Sequence, residues 1–221
     1  MATWQQQTKM GRNNNLKSSF TTQRQNMPNF IETFTMKAMV SVRGTDLEYA
    51  SPQLKQDREI VLAAVAQNGL ALKFANTALK SDKDIVMVAV DENGLAIQYS
   101  CLSDDKDIAK KALNNTDEKI FQYFSSKLQS DKEIAFRALI SNMDSFSSLP
   151  ICLKVDHNFL IDVIGAIPEI YYRISTEQQS NRELVLGIIE RNAMCCYNLK
   201  SMNFYDDKEI VLKCCKKLHV C

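Results

Sequence analysis

The chain has 221 residues, of which 45% are hydrophobic and 24% charged, and this balance excludes a chain that is disordered throughout. Its 27 basic and 26 acidic residues nearly cancel, so no overall field favours nucleic acid or an anionic membrane. It holds no apolar run of about 18 residues, and we therefore expect no membrane-spanning helix.

Residues 1–28 differ in composition from the rest of the chain. They include many glutamines and asparagines, no acidic residue, and four basic residues, which are Lys9, Arg12, Lys17 and Arg24. This composition predicts a disordered basic tail. Three roles stay open for it: a solvated tail, an arm whose four basic residues bind RNA, a ribosomal surface or an acidic protein, and a mitochondrial transit peptide.

Residues 45–69 and 70–94 are two tandem copies of one sequence unit of about 25 residues. Each copy contains an aspartate followed by a basic and an acidic residue, and we call this aspartate the anchor of its repeat. The anchor recurs at intervals of about 25 residues, which predicts about seven tandem repeats within residues 29–221. The anchors are Asp57, Asp82, Asp105, Asp131, Asp156, Asn181 and Asp207.

Apolar residues stand three, four, seven and eight positions after each anchor, which is one face of an α-helix. In the first repeat they are Ile60, Val61, Ala64 and Val65. A weaker apolar set stands ten, eight and three positions before the anchor and predicts a second, shorter helix, as at Leu47, Tyr49 and Leu54. The fold class predicted is therefore all-α, an α-solenoid of helix-turn-helix repeats with a flexible N-terminal tail.

Residues 29–44 are predicted to form an N-terminal cap helix, because a single repeat cannot bury enough apolar surface to fold alone. Met36, Met39 and Val40 keep the helical spacing there, and Gly44 lies one period before Gly69. Further along, Pro168 is predicted to end a helix.

Polar residues predict where the long helices begin and end. Ser81, Ser130 and Ser180 each precede an acidic residue by three positions, which is the pattern of a hydroxyl N-cap in a capping box. Asn68-Gly69 and Asn93-Gly94 predict a left-handed turn at the helix end. The acidic residues beside the anchors are attributed to capping and to the helix dipole rather than to a ligand site.

The chain offers few groups for catalysis or metal binding. His157 takes the basic position after its anchor, which favours a solvated helix face. Cys195, Cys214, Cys215 and His219 form a weak candidate for a zinc site, since Cys215 and His219 are four residues apart on one helix face. Because Cys214 and Cys215 stand at core positions of their repeat, buried small side chains are the favoured interpretation.

The segments LEYASPQLKQDREIVLAAVAQNG and LALKFANTALKSDKDIVMVAVDENG resemble the repeat catalogued as domain of unknown function 4116. The resemblance is close over residues 45–94, clear at residues 125–139 and faint beyond them. It implies a tandem helical repeat with no established activity and no catalytic residues to carry over.

Repetition without a catalytic group predicts a non-enzymatic protein-interaction scaffold or adaptor that needs no cofactor and binds another protein. The alternative is a subunit associated with nucleic acid or ribonucleoprotein through residues 1–28. Seven cysteines with no secretory signal ahead of them indicate free thiols in a reducing compartment. We therefore expect a cytoplasmic protein, with a mitochondrial one as the alternative.

Overall fold

The computed structural model describes residues 30–115, 119–200, 204 and 206–218, and all regular structure within them is helical. This confirms the all-α fold. The long helices are α1 (residues 30–42), α2 (Arg58–Gln67), α3 (Lys83–Glu92), α4 (Lys106–Asn114), α5 (Lys132–Ser141), α6 (His157–Ala166), α7 (Arg182–Arg191) and α8 (Lys208–Leu218).

Each helix from α2 to α8 begins one residue after its anchor, because the anchor side chain caps it. Asp57 is extended, with φ −74° and ψ 116°, and its carboxylate accepts hydrogen bonds from the backbone N–H groups of Glu59 and Ile60. Asn181 caps α7 with its amide oxygen, which accepts from Leu184 N–H at 3.0 Å. A short polar side chain at this point satisfies donors that have no partner inside the helix.

The predicted serine N-caps are wrong by one residue. Ser130 follows the short helix Ser126–Gln129 and donates its hydroxyl to the Ser126 carbonyl at 3.0 Å, and Ser81 donates likewise to Thr77. Ser180 also follows a short helix, Thr176–Gln179. The serines therefore belong to the end of the preceding element, and the residue after each of them caps the long helix.

The apolar positions predicted from the period form the core. In every repeat from the first to the sixth, the residues three, four, seven and eight positions after the anchor are at most 5% exposed. They contact one another in one continuous cluster. In the fourth repeat these residues are Ile134, Ala135, Ala138 and Leu139.

The second helix predicted for each repeat is two short elements instead of one. A 3-10 helix comes first: Gly44–Tyr49, Gly69–Phe74, Gly94–Tyr99, Phe121–Tyr123, Met143–Ser148, Pro168–Arg173 and Ala193–Lys200. A second short helix then leads to the anchor in five of the repeats: Leu54–Gln56, Leu79–Ser81, Ser126–Gln129, Ile151–Lys154 and Thr176–Gln179. The third repeat has no such helix between Tyr99 and Asp105, where it is shorter than its neighbours. Pro168 follows the end of α6 and starts a 3-10 helix, as its missing N–H favours.

The left-handed turns predicted at Asn-Gly are wrong. Asn68 is extended, with φ −152° and ψ 108°, and its side chain accepts from Leu70 N–H to start the 3-10 helix. Gly69 is required for a different reason, since a Cβ atom there would lie 2.2 Å from the Ala89 carbonyl oxygen of the next repeat. The glycine therefore allows close stacking between repeats.

The long helices and several of the 3-10 helices contact their counterparts in the next repeat, so the repeats stack in single file. Consecutive long helices from α2 to α8 touch, and 3-10 helices touch their neighbours as well, as Gly44–Tyr49 does with Gly69–Phe74. This order follows from the small size of one repeat, which can bury its apolar face only against the next one.

Substitutions at the fourth anchor distinguish the two cap assignments. We expect Asp131→Ala to lower the free energy of unfolding by about 1–2 kcal/mol, because it removes the cap. Asp131→Asn retains a capping oxygen and should cost less, while Ser130→Ala should stay within about 0.5 kcal/mol of wild type. Urea denaturation of the three variants measures this, and a Ser130→Ala loss as large as that of Asp131→Ala would contradict the assignment.

Candidate functional site at the junction of repeats five and six

Ion pairs between repeats occur at most junctions of the stack. The basic residue after one anchor binds the next anchor, and often the acid two residues beyond it: Arg58 contacts Asp82 at 3.0 Å and Asp84 at 2.9 Å. The same arrangement joins Lys83 with Asp105 and Asp107, Lys106 with Asp131 and Glu133, Lys132 with Asp156, and Arg182 with Asp207 and Glu209.

These ion pairs hold carboxyl pKa values below their ordinary range. The hydrogen bond from Lys106 lowers the pKa of Asp131, and that from Arg182 lowers the pKa of Asp207. Glu133 is bound by both Lys110 and Lys106, which lowers its pKa to about 2. The carboxylates are therefore more acidic in the folded protein than in the unfolded chain.

The junction of repeats five and six lacks this ion pair. Its two positions hold His157 and Asn181, and among the described residues neither takes part in an ion pair. Asn181 still caps α7, but a neutral amide cannot replace the carboxylate that pairs with a base elsewhere. The local fold of the repeat is thus kept while the ion pair at its anchor is lost, and Arg191 still pairs with Asp162 of the preceding repeat at 3.2 Å.

The backbone link at this junction is altered as well. At the first three junctions a backbone N–H donates directly to the preceding repeat, as Asn76 does to the Lys55 carbonyl at 3.0 Å and Ser125 to that of Ser103 at 2.9 Å. In repeat five the equivalent residue is Pro150, which has no N–H to donate. In repeat six the side-chain amide of Gln178 lies between the equivalent groups, the Ser175 N–H and the Lys154 carbonyl. Its nitrogen donates to the Lys154 carbonyl at 2.6 Å, and its oxygen accepts from Ser175 N–H at 3.1 Å.

A groove of about 490 Å³ opens where both links have changed, and we call it the basic groove. Its apolar lining consists of Phe146, Val155 and Ile174, and its basic lining of Lys154, His157 and Arg173. Ser175, Glu177, Gln178 and Asn181 complete the polar lining, with Glu177 as the acid among them. This mixture of hydrogen-bond donors and apolar surface suits a ligand that carries both negative charge and hydrocarbon.

Lys154 has a structural role beside its charge. Its ammonium donates to the Ser147 carbonyl at 2.9 Å and lies 5.8 Å from the centre of the Phe146 ring. In other repeats the residue two positions before the anchor, Lys55, Lys80, Gln129 or Gln179, likewise donates to carbonyls at the end of the 3-10 helix five to eight residues earlier. A lysine and a glutamine are therefore interchangeable as caps at this position, although only the lysine adds charge.

A second hollow, of about 310 Å³, lies where α1 meets the first repeat. Its lining includes Glu32 and Asp57, and Thr33 stands where later repeats carry a base. Among the described residues Asp57 forms no ion pair. Hollows therefore occur at two junctions that lack the ion pair at the anchor, although other pairs, Lys37 with Glu59 and Arg191 with Asp162, cross them.

The site residues predicted from the sequence are not brought together in the described part of the chain. Lys9, Arg12, Lys17, Arg24 and His219 lie outside the described residues. Cys195 is buried, and this burial raises the pKa of its thiol. Cys214 forms a disulfide with Cys196, so the prediction of free thiols is wrong for these two residues. No group of three metal-binding side chains occurs among the described residues.

The basic groove was missed because its signal is a pair of substitutions in two different repeats. Asp156-His157-Asn158 and Asn181 depart from the Asp-basic-acidic pattern, but each departure alone only weakens one repeat. Together they remove one ion pair, but this is evident only once the base after one anchor is known to contact the next anchor. A search for pairs of consecutive repeats in which the first lacks Lys or Arg after its anchor and the second lacks Asp as its anchor would have found this junction.

Comparison with known proteins identifies the repeat. The family model of DUF4116, a domain of unknown function, matches residues 35–80, 67–103 and 105–154, which is more than half of the chain. The chain therefore belongs to the DUF4116 family. No curated protein and no solved structure matches it.

The helices of the DUF4116 array were also compared with the length and hydropathy that a membrane-spanning helix needs. Each helix in the described ranges is too short or too polar to cross a lipid bilayer.

The ion pairs of the DUF4116 array predict a loss of stability in acid. Because the pKa values of Asp131, Asp207 and Glu133 are lower in the folded state, the unfolded chain binds protons first as the pH falls. The stabilisation is complete above about pH 5 and is lost as the pH falls toward about 2. Urea denaturation across this range measures the slope. Lys106→Met should make the slope smaller, and an unchanged slope would contradict the role of this ion pair.

The disulfide within repeat seven predicts that the stability of the array responds to reductant. Cys196 and Cys214 are 18 residues apart, a loop for which cross-linking stabilises by about 3 kcal/mol. Reduction should lower the unfolding midpoint of the wild type and of Cys152→Ser, whose exposed thiol is free, but not that of Cys196→Ser. Thiol titration provides the decisive readout, because seven reactive thiols in the unreduced, unfolded protein would exclude the disulfide.

Proposed function

We propose that this DUF4116 protein is a non-enzymatic scaffold that binds another protein through surfaces of its helical repeats. The observation that carries the proposal is an apolar outer face on α1. Five large apolar side chains there are 44% to 79% exposed: Phe30, Ile31, Phe34, Met39 and Val42. Such a group of exposed apolar residues on one element is typical of a protein-binding surface.

The burial pattern of the two terminal helices tells which face of a repeat meets which neighbour. In α8, Ile210 and Cys214, three and seven positions after the anchor, are buried, while Val211 and Cys215 at positions four and eight are only partly buried. Positions three and seven therefore face the preceding repeat. Positions four and eight face the following one.

The outer face of α1 is equivalent to the face that meets a preceding repeat. Counting from Glu32, one period before Asp57, Met36 and Val40 are buried at positions four and eight, whereas Thr35 and Met39 at positions three and seven are exposed. Ile31, Thr35, Met39 and Val42 have the spacing of a single helical stripe. This surface thus continues the stacking interface of the array.

The partner that suits this face is a protein helix with aliphatic side chains four residues apart, which is what each repeat offers to the next, as at Val61 and Val65. Glu32 lies at the position of an anchor, so a basic residue in the partner would meet it as Arg58 meets Asp82. Burying two or three of the exposed side chains would contribute several kcal/mol.

The alternative, a nucleic-acid-associated subunit, depends on the basic residues of segment 1–28. The array itself gives it less support, because Arg58, Lys83, Lys106, Lys132 and Arg182 are all engaged by carboxylates. A cytoplasmic location is likewise a proposal, and in a reducing compartment the Cys196–Cys214 bond would be open.

Charge substitutions on α1 test the proposal. We expect Phe34→Glu and Met39→Glu to abolish capture of the proteins that bind the wild type, because they place a charge in the apolar contact. Ile140→Glu is the matched control, since Ile140 is 60% exposed but lies on α5. Proteins lost with the first two variants and kept with the control are then purified and their affinities measured by calorimetry.

Two results would overturn the proposal. One is that no captured protein distinguishes Phe34→Glu from Ile140→Glu. The other is that the purified proteins bind both variants with equal affinity. Circular dichroism of each variant checks that the helical content is unchanged.

A further inference from the structure

The basic groove contains one ammonium group, that of Lys154, with which no carboxylate of the described residues forms an ion pair. Lys154 is bound to a backbone carbonyl, and neither it nor His157 forms an ion pair among the described residues. Arg173 pairs at 2.8 Å with Asp144, which is not part of the groove lining. At the neighbouring junctions Lys132 and Arg182 are each bound by at least one carboxylate.

Apolar surface continues from the groove onto the outside of repeat five. Val155, in the lining, is 59% exposed, and Ile151, four residues earlier on the short helix, is 78% exposed. Phe146 and Ile174 are each 6% exposed and give the groove an apolar base. A ligand side chain that covers Val155 and Ile151 would remove aliphatic surface from water.

The opening is fixed by the native hydrogen bonds of the junction. The Gln178 amide bonds to Lys154 on one side and to Ser175 on the other, so it separates two backbones that bond directly at the first three junctions. A ligand therefore finds the groove open without a rearrangement of the repeats. Pre-formed sites lose little affinity to conformational change.

We propose that the basic groove binds an acidic peptide segment of a partner protein, in which carboxylates alternate with apolar side chains. The inference rests on the proposed scaffold function and gives the chemistry of one partner. Carboxylates would bind Lys154, His157 and Arg173, and an apolar side chain would cover Val155. A nucleic-acid strand suits the surface less well, because it needs positive groups along its whole path.

The test uses a short fluorescein-labelled peptide of alternating glutamate and leucine, with fluorescence anisotropy as the readout on the full chain. Lys154→Gln removes the charge and keeps the carbonyl cap, as Gln129 and Gln179 do in their repeats. It should weaken peptide binding about three- to tenfold. Glu177→Gln removes the acid of the lining and should tighten binding by about twofold or more.

Lys80→Gln is the matched control. Lys80 caps its repeat in the same way but lies at a different junction, so the substitution changes the net charge equally and should leave binding unchanged. Equal weakening by Lys80→Gln and Lys154→Gln would overturn the proposal. So would equal binding of a peptide with glutamine in place of glutamate, or tighter, Lys154-dependent binding of a single-stranded oligonucleotide.

A second variant closes the groove and leaves the net charge of the protein at pH 7 unchanged, because it adds one cation and one anion. His157→Lys combined with Asn181→Asp restores the residue types that form the ion pair at the other junctions. We expect at least a tenfold loss of peptide affinity together with an equal or higher unfolding midpoint. Retained affinity in this folded variant would overturn the proposal.

The outcome for the groove is separable from that for the scaffold. If the acidic peptide does not bind while Phe34→Glu still loses proteins that Ile140→Glu keeps, the groove proposal fails and the scaffold proposal stands. If the peptide binds in a Lys154-dependent way while the α1 variants lose no protein, the groove proposal stands and the assignment of the α1 face fails.

Discussion

In five of the seven repeats one carboxylate links the local fold to the stacking. In Asp82, Oδ1 accepts the two N–H groups at the start of α3, and Oδ2 binds Arg58 of the preceding repeat. Asp131 divides its two oxygens in the same way between α5 and Lys106. Because the cap fixes the direction of the carboxylate, the position of each helix start also fixes where the preceding repeat can place its base.

The consequence of this double role is visible where the anchor is Asn181. Its amide oxygen performs the capping task, so α7 begins at the expected residue. The amide nitrogen is a donor and cannot accept from a base, and His157 takes the place of the base. The two roles of the anchor are therefore separable by one substitution, and their separation accompanies the basic groove.

The sequence predicts well whatever depends on period and burial. The positions of Ile134, Ala135 and their equivalents follow from helical spacing alone, since only one face of each helix can be buried. The helix starts are less well predicted, because Ser130 and Asp131 both carry short polar side chains and either fits the local pattern. Gly69 was misinterpreted because a left-handed turn is the usual reason for such a glycine, whereas here the cause is a carbonyl of the next repeat. The groove depends on residues in two different repeats, which no single-repeat pattern contains. The disulfide joins Cys196 and Cys214 within repeat seven, at two positions where the earlier repeats carry no cysteine.

An array held together in this way can gain a binding site at small cost in stability. The inter-repeat ion pairs are largely solvent-exposed, and such pairs contribute about 0–1 kcal/mol each. The apolar contacts made by Leu160, Val163 and Leu184 on either side of the altered junction remain buried, and they carry most of the stacking energy. Loss of the charges at His157 and Asn181 therefore opens a groove without unfolding the repeats beside it. The ion pair between the anchor and the base of the preceding repeat recurs in the array but contributes little to stability. A stacked-repeat protein can therefore acquire specificity for a ligand by substitutions at these two positions.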